Sequence, residues 1–238
     1  MSGQLMYEKV RKVLRGENIH SGTPFSAVAH QIKGIQLATR ENNQAFWKEQ
    51  MEKHPQPVGE LALCEPSIPD STAAIEEVNF QIPLSKIAKA SREAGVSLMA
   101  WYQAAWVMAL SMYTDSSSVV FGAVLAGRNL PIKGAHDCIG PLVNTLPFHI
   151  TIDANQSVAG FLRSVFAHSV ALQSVQCSVP EDGFTRSFAS ALAMEFDFEL
   201  GDTSSHRPIG ASQFKVIPDM PLSVYMSCLL YTSPSPRD

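Results

Sequence analysis

Among the polar side chains that can do chemistry, Asn144 occupies the most demanding position. It lies in the run Ile139-Gly-Pro-Leu-Val-Asn-Thr-Leu-Pro-Phe-His-Ile150. Read with period two, Leu142, Asn144, Leu146, Phe148 and Ile150 share one face, which places a carboxamide among four apolar side chains. A buried amide without partners costs about 1 to 3 kcal/mol, so Asn144 must bond to backbone, water or a ligand. Two roles meet that demand: contacting a ligand, or tying down a neighbouring loop. Arg128 is the second candidate. It follows the unbroken apolar run 119–126, and a guanidinium just past such a run needs acceptors, whether on a surface turn or in a built site.

Other chemistries leave no mark. The histidines His20, His30, His54, His136, His149, His168 and His206 include no adjacent pair, and Asp182-Gly183 has no histidines before it. A Ser-His-Asp or Cys-His arrangement meets in space and leaves no local signature here, and there is no G-x-S-x-G elbow, Walker lysine loop or dinucleotide fingerprint. Cys64, Cys138, Cys177 and Cys228 are widely spaced, without a C-x-x-C pair or a Cys-His cluster at metal-ligand spacing. No metal site is expected, and a reduced, cytoplasmic chain with incidental thiols is.

The elements that must hold Asn144 and Arg128 follow from pattern. Pro141 and Pro147 fix φ and remove N–H donors, so the segment around Asn144 should be an edge or irregular strand. The run 119–126 reads as a strand covered on both faces, with Gly122 marking a close backbone approach. Ser97 starts a helix to about Tyr113, and 94–114 carries no charge. Gly95, Ser97, Gln103 and Ser111 dilute that stretch, which is rich in Ala, Trp and Met, so it predicts a buried central helix and not a membrane span. Further helices are expected within 24–51, from an N-cap at Ser85 to Gly95, and over 157–176 with Val158, Phe161, Leu162, Val165, Val170 and Leu172 as apolar positions. Strands are expected at 73–84, 191–200 and 222–226, and a proline-bearing loop at 54–72. His168 should pack or lie at the surface, and Trp47 should be core.

With 238 residues, the chain can bury one sizeable core. A net charge of -4 supplies no basic footprint, which argues against a nucleic-acid partner. The polar N-terminal stretch with Lys9, Arg11, Lys12 and Arg15 is followed by no apolar core, so it is neither a secretory signal nor a transit peptide.

The run Val120-Phe-Gly-Ala-Val-Leu-Ala-Gly-Arg-Asn129, followed by Ile139-Gly-Pro-Leu-Val-Asn-Thr145, resembles the condensation domains of nonribosomal peptide synthetases. Their pattern there is a strand ending in Gly-Arg and then I-G-x-x-V-N-T. Lesser similarity, including Ala-Phe-Trp-Lys-Glu-Gln at 45–50, extends over about 25–225. The resemblance implies an α/β fold, an α+β two-layer sandwich, forming the C-terminal lobe of a chloramphenicol acetyltransferase-like architecture. In that family two lobes form a V around a tunnel. The motif H-H-x-x-x-D-G lies on the other lobe, and its second histidine orients or deprotonates the attacking amine.

The implied reaction moves an acyl or peptidyl group from a carrier-bound phosphopantetheine thioester to the amine of a carrier-bound aminoacyl group. Gly127, Arg128, Asn144 and Thr145 would then line the substrate tunnel, with no catalytic residue in this chain. No cofactor would bind directly, because donor and acceptor carrier domains present the phosphopantetheine arms. An ester-forming or cyclising acyltransferase of the same superfamily, and a catalytically silent carrier-docking module, are the alternatives. The chain departs from the pattern at Leu142, where an aromatic is common, at His149, where an arginine is frequent, and at Gln176-Cys-Ser-Val-Pro-Glu-Asp182, where only Val179-Pro180 and the acidic end persist.

Residues 228–238, Cys-Leu-Leu-Tyr-Thr-Ser-Pro-Ser-Pro-Arg-Asp, read as the translation of a transposon-end sequencing adapter. The expected organisation is a partial condensation domain at 1–227, followed by a foreign tail. The paired-histidine lobe is expected in a longer parent, and this fragment alone is expected to be inactive.

Overall fold

The two runs singled out by pattern pair with each other. In the computed structural model, which describes residues 2–53, 76, 78, 81–178, 188–197 and 222–229, β1 (Ser118–Leu125) and β2 (Asn144–Thr151) are antiparallel, in register from Leu125 opposite Asn144 to Ser118 opposite Thr151. β3 (Ser190–Asp197) runs parallel to β1, and β4 (Leu222–Leu229) runs parallel to β3. The order of the described strands is β2-β1-β3-β4, so among them the proline-bearing β2 lies at an edge, where the missing N–H of Pro147 is tolerated. The fold is α/β.

One face of the sheet carries the core. Val119, Phe121 and Ala123 of β1 lie beside Ile150, Phe148 and Leu146 of β2, all buried, with the Phe121 and Phe148 rings stacked at 4.9 Å. Over them pack α5 (Leu98–Thr114) through Ala100, Ala104, Val107 and Leu110, and α6 (Val158–Ser174) through Phe161, Leu162, Val165 and Leu172. His168 of α6 meets Phe148 edge-on at 4.5 Å, a packing role. The opposite face is made of smaller groups. At Gly122 a Cβ would press on the Phe188 ring and the Thr145 methyl, so the close approach is by side chains, not backbone. Val120 and Val124 are only half-buried there, so β1 is fully covered on one face alone.

Local signals fix the starts of α5 and α6. Ser97 and Ser157 cap α5 and α6, accepting from Ala100 N and Gly160 N respectively. α4 (Leu84–Ala94) is preceded by Pro83 in the N-cap position, so Ser85 lies within the first turn and does not cap. Gly95 closes α4 in the left-handed conformation. In α6, Val158 and Val170 face solvent and Ser169 takes the buried position. The N-terminal stretch forms α1 (Ser2–Leu14), and 24–51 resolves into α2 (Phe25–Ala38) and α3 (Arg40–Lys53). Residues 54–75 and 201–212 lie outside the described residues, as does half of 73–84; in the other half, 76, 78 and 81–83 form no strand and Leu84 opens α4. β4 runs to Leu229, two residues beyond the Ser227 boundary inferred from the adapter reading. Among the described residues, no helix is long and apolar enough to cross a membrane.

Candidate functional site

Gly127, Arg128, Asn144 and Thr145 gather at one end of the β1–β2 pair, because Leu125 and Asn144 are register partners and the chain leaves and re-enters the sheet there. The carboxyl end of β1 thus opens into the connection 126–143, which far exceeds the common loop length of about 4 to 6 residues. A loop of that length needs its own internal order. α2 supplies part of it: Val28, Ile32 and Ile35 pack on Leu130, Ile132, Ala135, Cys138 and Leu142 in a second, smaller core.

Arg128 organises the polar part of the loop. It is 4% exposed, and Nη1 donates to the carbonyls of Ala135 and Cys138 while Nη2 donates to Ser2 Oγ at 2.7 Å. Ser2 Oγ in turn donates to the Gly140 carbonyl at 2.8 Å, so the guanidinium and the first turn of α1 grip the same loop. Its charge is solvated by carbonyl dipoles, and no carboxylate pairs with it among the described residues. Gly127 precedes it with φ +67°, and a Cβ there would overlap the carbonyl of Leu142. Only glycine fits both the conformation and the contact. On the loop's exposed side, Thr23 N and Oγ1 donate to the Asp137 carboxylate at 3.2 and 3.1 Å. The Thr23 hydroxyl bond is the leading cause that holds the Asp137 carboxyl below its usual range, with Lys9 contributing.

Asn144 opens β2 and reaches across to the end of α6. Its Nδ2 donates to the Gln176 carbonyl at 2.8 Å and to the Ser178 carbonyl at 3.3 Å. The same short segment is held from two other helices. Gln36 Nε2 of α2 donates to the Cys177 carbonyl at 2.6 Å, and Trp47 Nε1 of α3 donates to Ser178 Oγ at 2.8 Å. Trp47 is core, as its pattern indicated, and also a hydrogen-bond donor. The Ser178 hydroxyl donates to the Val175 carbonyl at 2.6 Å. Burial pushes the Cys177 thiol up, which disfavours its thiolate.

Gln36, Trp47 and Ser178 carry no sequence signal for this role. Their partners lie more than a hundred residues away in the chain. Thr145 is half-buried beside Gly122. His149, on the face away from the core, is buried with Nε2 3.3 Å from Ser118 Oγ. Among the described residues no group of histidine, cysteine and carboxylate side chains is arranged to hold a metal ion.

A family model described as Condensation domain matches residues 3–177. The chain belongs to the condensation-domain family. Curated relatives agree. Nonribosomal peptide synthetase aclP of Aspergillus oryzae is 37% identical over 94% of this chain and 14% of its own length. Nonribosomal peptide synthetase ataP of Aspergillus terreus is 34% identical over 82% of this chain and 13% of its own length. The chain therefore spans about one seventh of the length of these relatives.

Among solved structures, this condensation-domain chain is similar to the first condensation domain of the calcium-dependent antibiotic synthetase, solved with a substrate analogue. The TM-score is 0.61 at 18% identity, over 82% of this chain and 45% of that one. It is also similar to the condensation domain from Monacolin K polyketide synthase MokA, with a TM-score of 0.60 at 16% identity, over 81% of this chain and 50% of that one. At these identities the likeness establishes the fold.

Proposed function

We propose that the chain is part of a condensation domain whose parent synthetase forms an amide bond. The parent would transfer an acyl or peptidyl group from one carrier-bound thioester to the amine of an aminoacyl group on another carrier. The observation that carries this reading is the convergence of Gly127, Arg128, Asn144 and Thr145 on one end of a hairpin, within a segment that the condensation-domain model matches. Converting a thioester to an amide is downhill, so alignment of amine and carbonyl and stabilisation of the tetrahedral oxyanion supply much of the catalysis.

In this reading Asn144 faces the tunnel from the start of β2. Arg128 is a charged structural group that fixes the loop bordering the tunnel mouth, Gly127 lets that loop close on Leu142, and Thr145 packs beside Gly122. The base belongs to a paired-histidine motif, H-H-x-x-x-D-G, which this sequence does not contain. The chain on its own is therefore inactive, and donor carrier, acceptor carrier and the complementary lobe are its partners. The phosphopantetheine arms arrive on the carriers, and no cofactor binds this chain directly. A reducing cytoplasm suits the free, buried Cys138 and Cys177.

The test is amide formation by the parent domain with two loaded carriers. Wild type should form the amide, and Asn144→Ala should slow it while the domain stays folded. Unchanged rates would make Asn144 a scaffold residue only. Product formed solely with a hydroxyl acceptor would reassign the domain to ester formation.

A further inference from the structure

The polarity of the Asn144 carboxamide is fixed by its neighbours. Two backbone carbonyl oxygens, of Gln176 and Ser178, surround one side-chain atom at 2.8 and 3.3 Å. An oxygen at that place would face two acceptors and no donor, so the atom is the NH2 nitrogen and both its hydrogens are committed. Among the described residues none donates to Oδ1. The turn that carries those carbonyls is clamped from two further elements: Gln36 Nε2 holds the Cys177 carbonyl between them, and Trp47 Nε1 holds Ser178 Oγ.

We propose that Asn144 serves substrate as a hydrogen-bond acceptor for an N–H donor, with Gln36 and Trp47 as positioning residues that keep its oxygen outward. The proposal rests on the condensation reading above and narrows it. A carboxamide that presents only oxygen repels a developing oxyanion, so Asn144 takes no part in stabilising one. It attracts an N–H instead, and two sources share that chemistry: the amide N–H groups of a pantetheine-type arm, and the attacking amine itself. Gln36 and Trp47 act at one remove, because releasing the 176–178 turn frees the NH2 group to rotate and lets the carboxamide lose its preferred face.

The experiment uses the parent condensation domain, as wild type, Asn144→Ala, Gln36→Leu, Trp47→Phe and the Asn144→Ala/Gln36→Leu double variant. Steady-state amide formation is measured with the aminoacyl acceptor supplied on its carrier, and again as its S-ethyl thioester, which keeps the amine and has no arm amide. Gln36→Leu is expected to raise KM for the carrier-bound acceptor about tenfold with kcat within about twofold, and the double variant to be no worse than Asn144→Ala. Trp47→Phe keeps the ring volume, loses the indole N–H, and gives the same pattern if Gln36→Leu does not fold.

A KM effect that persists with the S-ethyl thioester assigns the contact to the amine, and one that vanishes assigns it to the arm. Additive effects of Asn144→Ala and Gln36→Leu, or losses confined to kcat with KM unchanged, overturn the proposal while leaving the condensation reading in place. A wild-type domain that forms no amide with either acceptor overturns that reading, and the proposal with it.

Discussion

Nδ2 of Asn144 stands 2.8 Å from the carbonyl oxygen of Gln176, so the first residue of β2 is bonded to the turn that ends the helix following that strand. Carbonyls just past a helix have no partner in the helix itself, and this side chain provides one. Asn144→Ala removes two such bonds at a partly buried site and is expected to cost about 1 to 3 kcal/mol in urea denaturation. Asn144→Asp should cost more than Ala, because a carboxylate oxygen would then face the carbonyls of Gln176 and Ser178. Equal stability of the Asp variant and wild type would contradict the polarity assigned to this group.

Gly127 and Gly95 separate two reasons for glycine. Both have positive φ, but a Cβ on Gly95 meets nothing within 4 Å, whereas one on Gly127 overlaps Leu142. Gly95→Ala is expected to cost about 1 kcal/mol, the strain of the left-handed conformation alone. Gly127→Ala should cost at least about 2 kcal/mol more, since the loop must move off Leu142. Similar losses in thermal unfolding would show that close approach is unimportant there.

Arg128 bonds three acceptors from two nitrogens, a geometry that an ammonium does not reproduce. Arg128→Lys is expected to lose about 1.5 to 3 kcal/mol, with accelerated amide exchange concentrated in 130–140. Ser2→Ala should lose about 1 kcal/mol and loosen the same loop. A lysine variant as stable as wild type would mean that the planar fork has no structural role.

Asp137 titrates below the usual carboxylate range because Thr23 bonds to its charged form. A carboxyl with a depressed folded-state pKa adds stability that is complete above its unfolded value, near pH 4, and is lost as pH falls through the folded value. The contact between the 22–23 segment and the loop should therefore weaken only below about pH 4. Thr23→Val should flatten that part of the profile, as should Asp137→Asn. A profile with the same acid limb in wild type and Thr23→Val would exclude this bond as its source.

Legibility in the sequence tracked how local each signal was. Alternation around Asn144 gave the strand and the core face of Leu146, Phe148 and Ile150, because a period of two is written in adjacent residues; Leu142, expected on the same face, lies in the loop before β2 and packs against α2. Ser97 and Ser157 were readable as helix starts, and the structure makes both of them caps, whereas the cap expected at Ser85 was displaced by Pro83, whose fixed φ suits the residue that opens a helix. In α6 the apolar list admitted Val158 and Val170, which face solvent, because composition does not say where a helix meets its sheet. At the candidate site Arg128 and Asn144 were legible as polar groups in costly places. Their partners were not: the 176–178 turn that Asn144 bonds is held by Gln36 and Trp47, and these segments meet only after three helices and a strand have packed. Trp47 reads as core from its helix alone, and its donor role depends on a hydroxyl 131 residues away.

The central claim is that this chain contributes one wall of a condensation site while the base lies on another lobe. The most direct measurement is single-turnover amide formation from two loaded carriers, by this chain alone and by the same chain continuous with its paired-histidine lobe. The account predicts background rates for the first and turnover for the second. Turnover by the chain alone at the rate of the joined domain, or none by either, would contradict it.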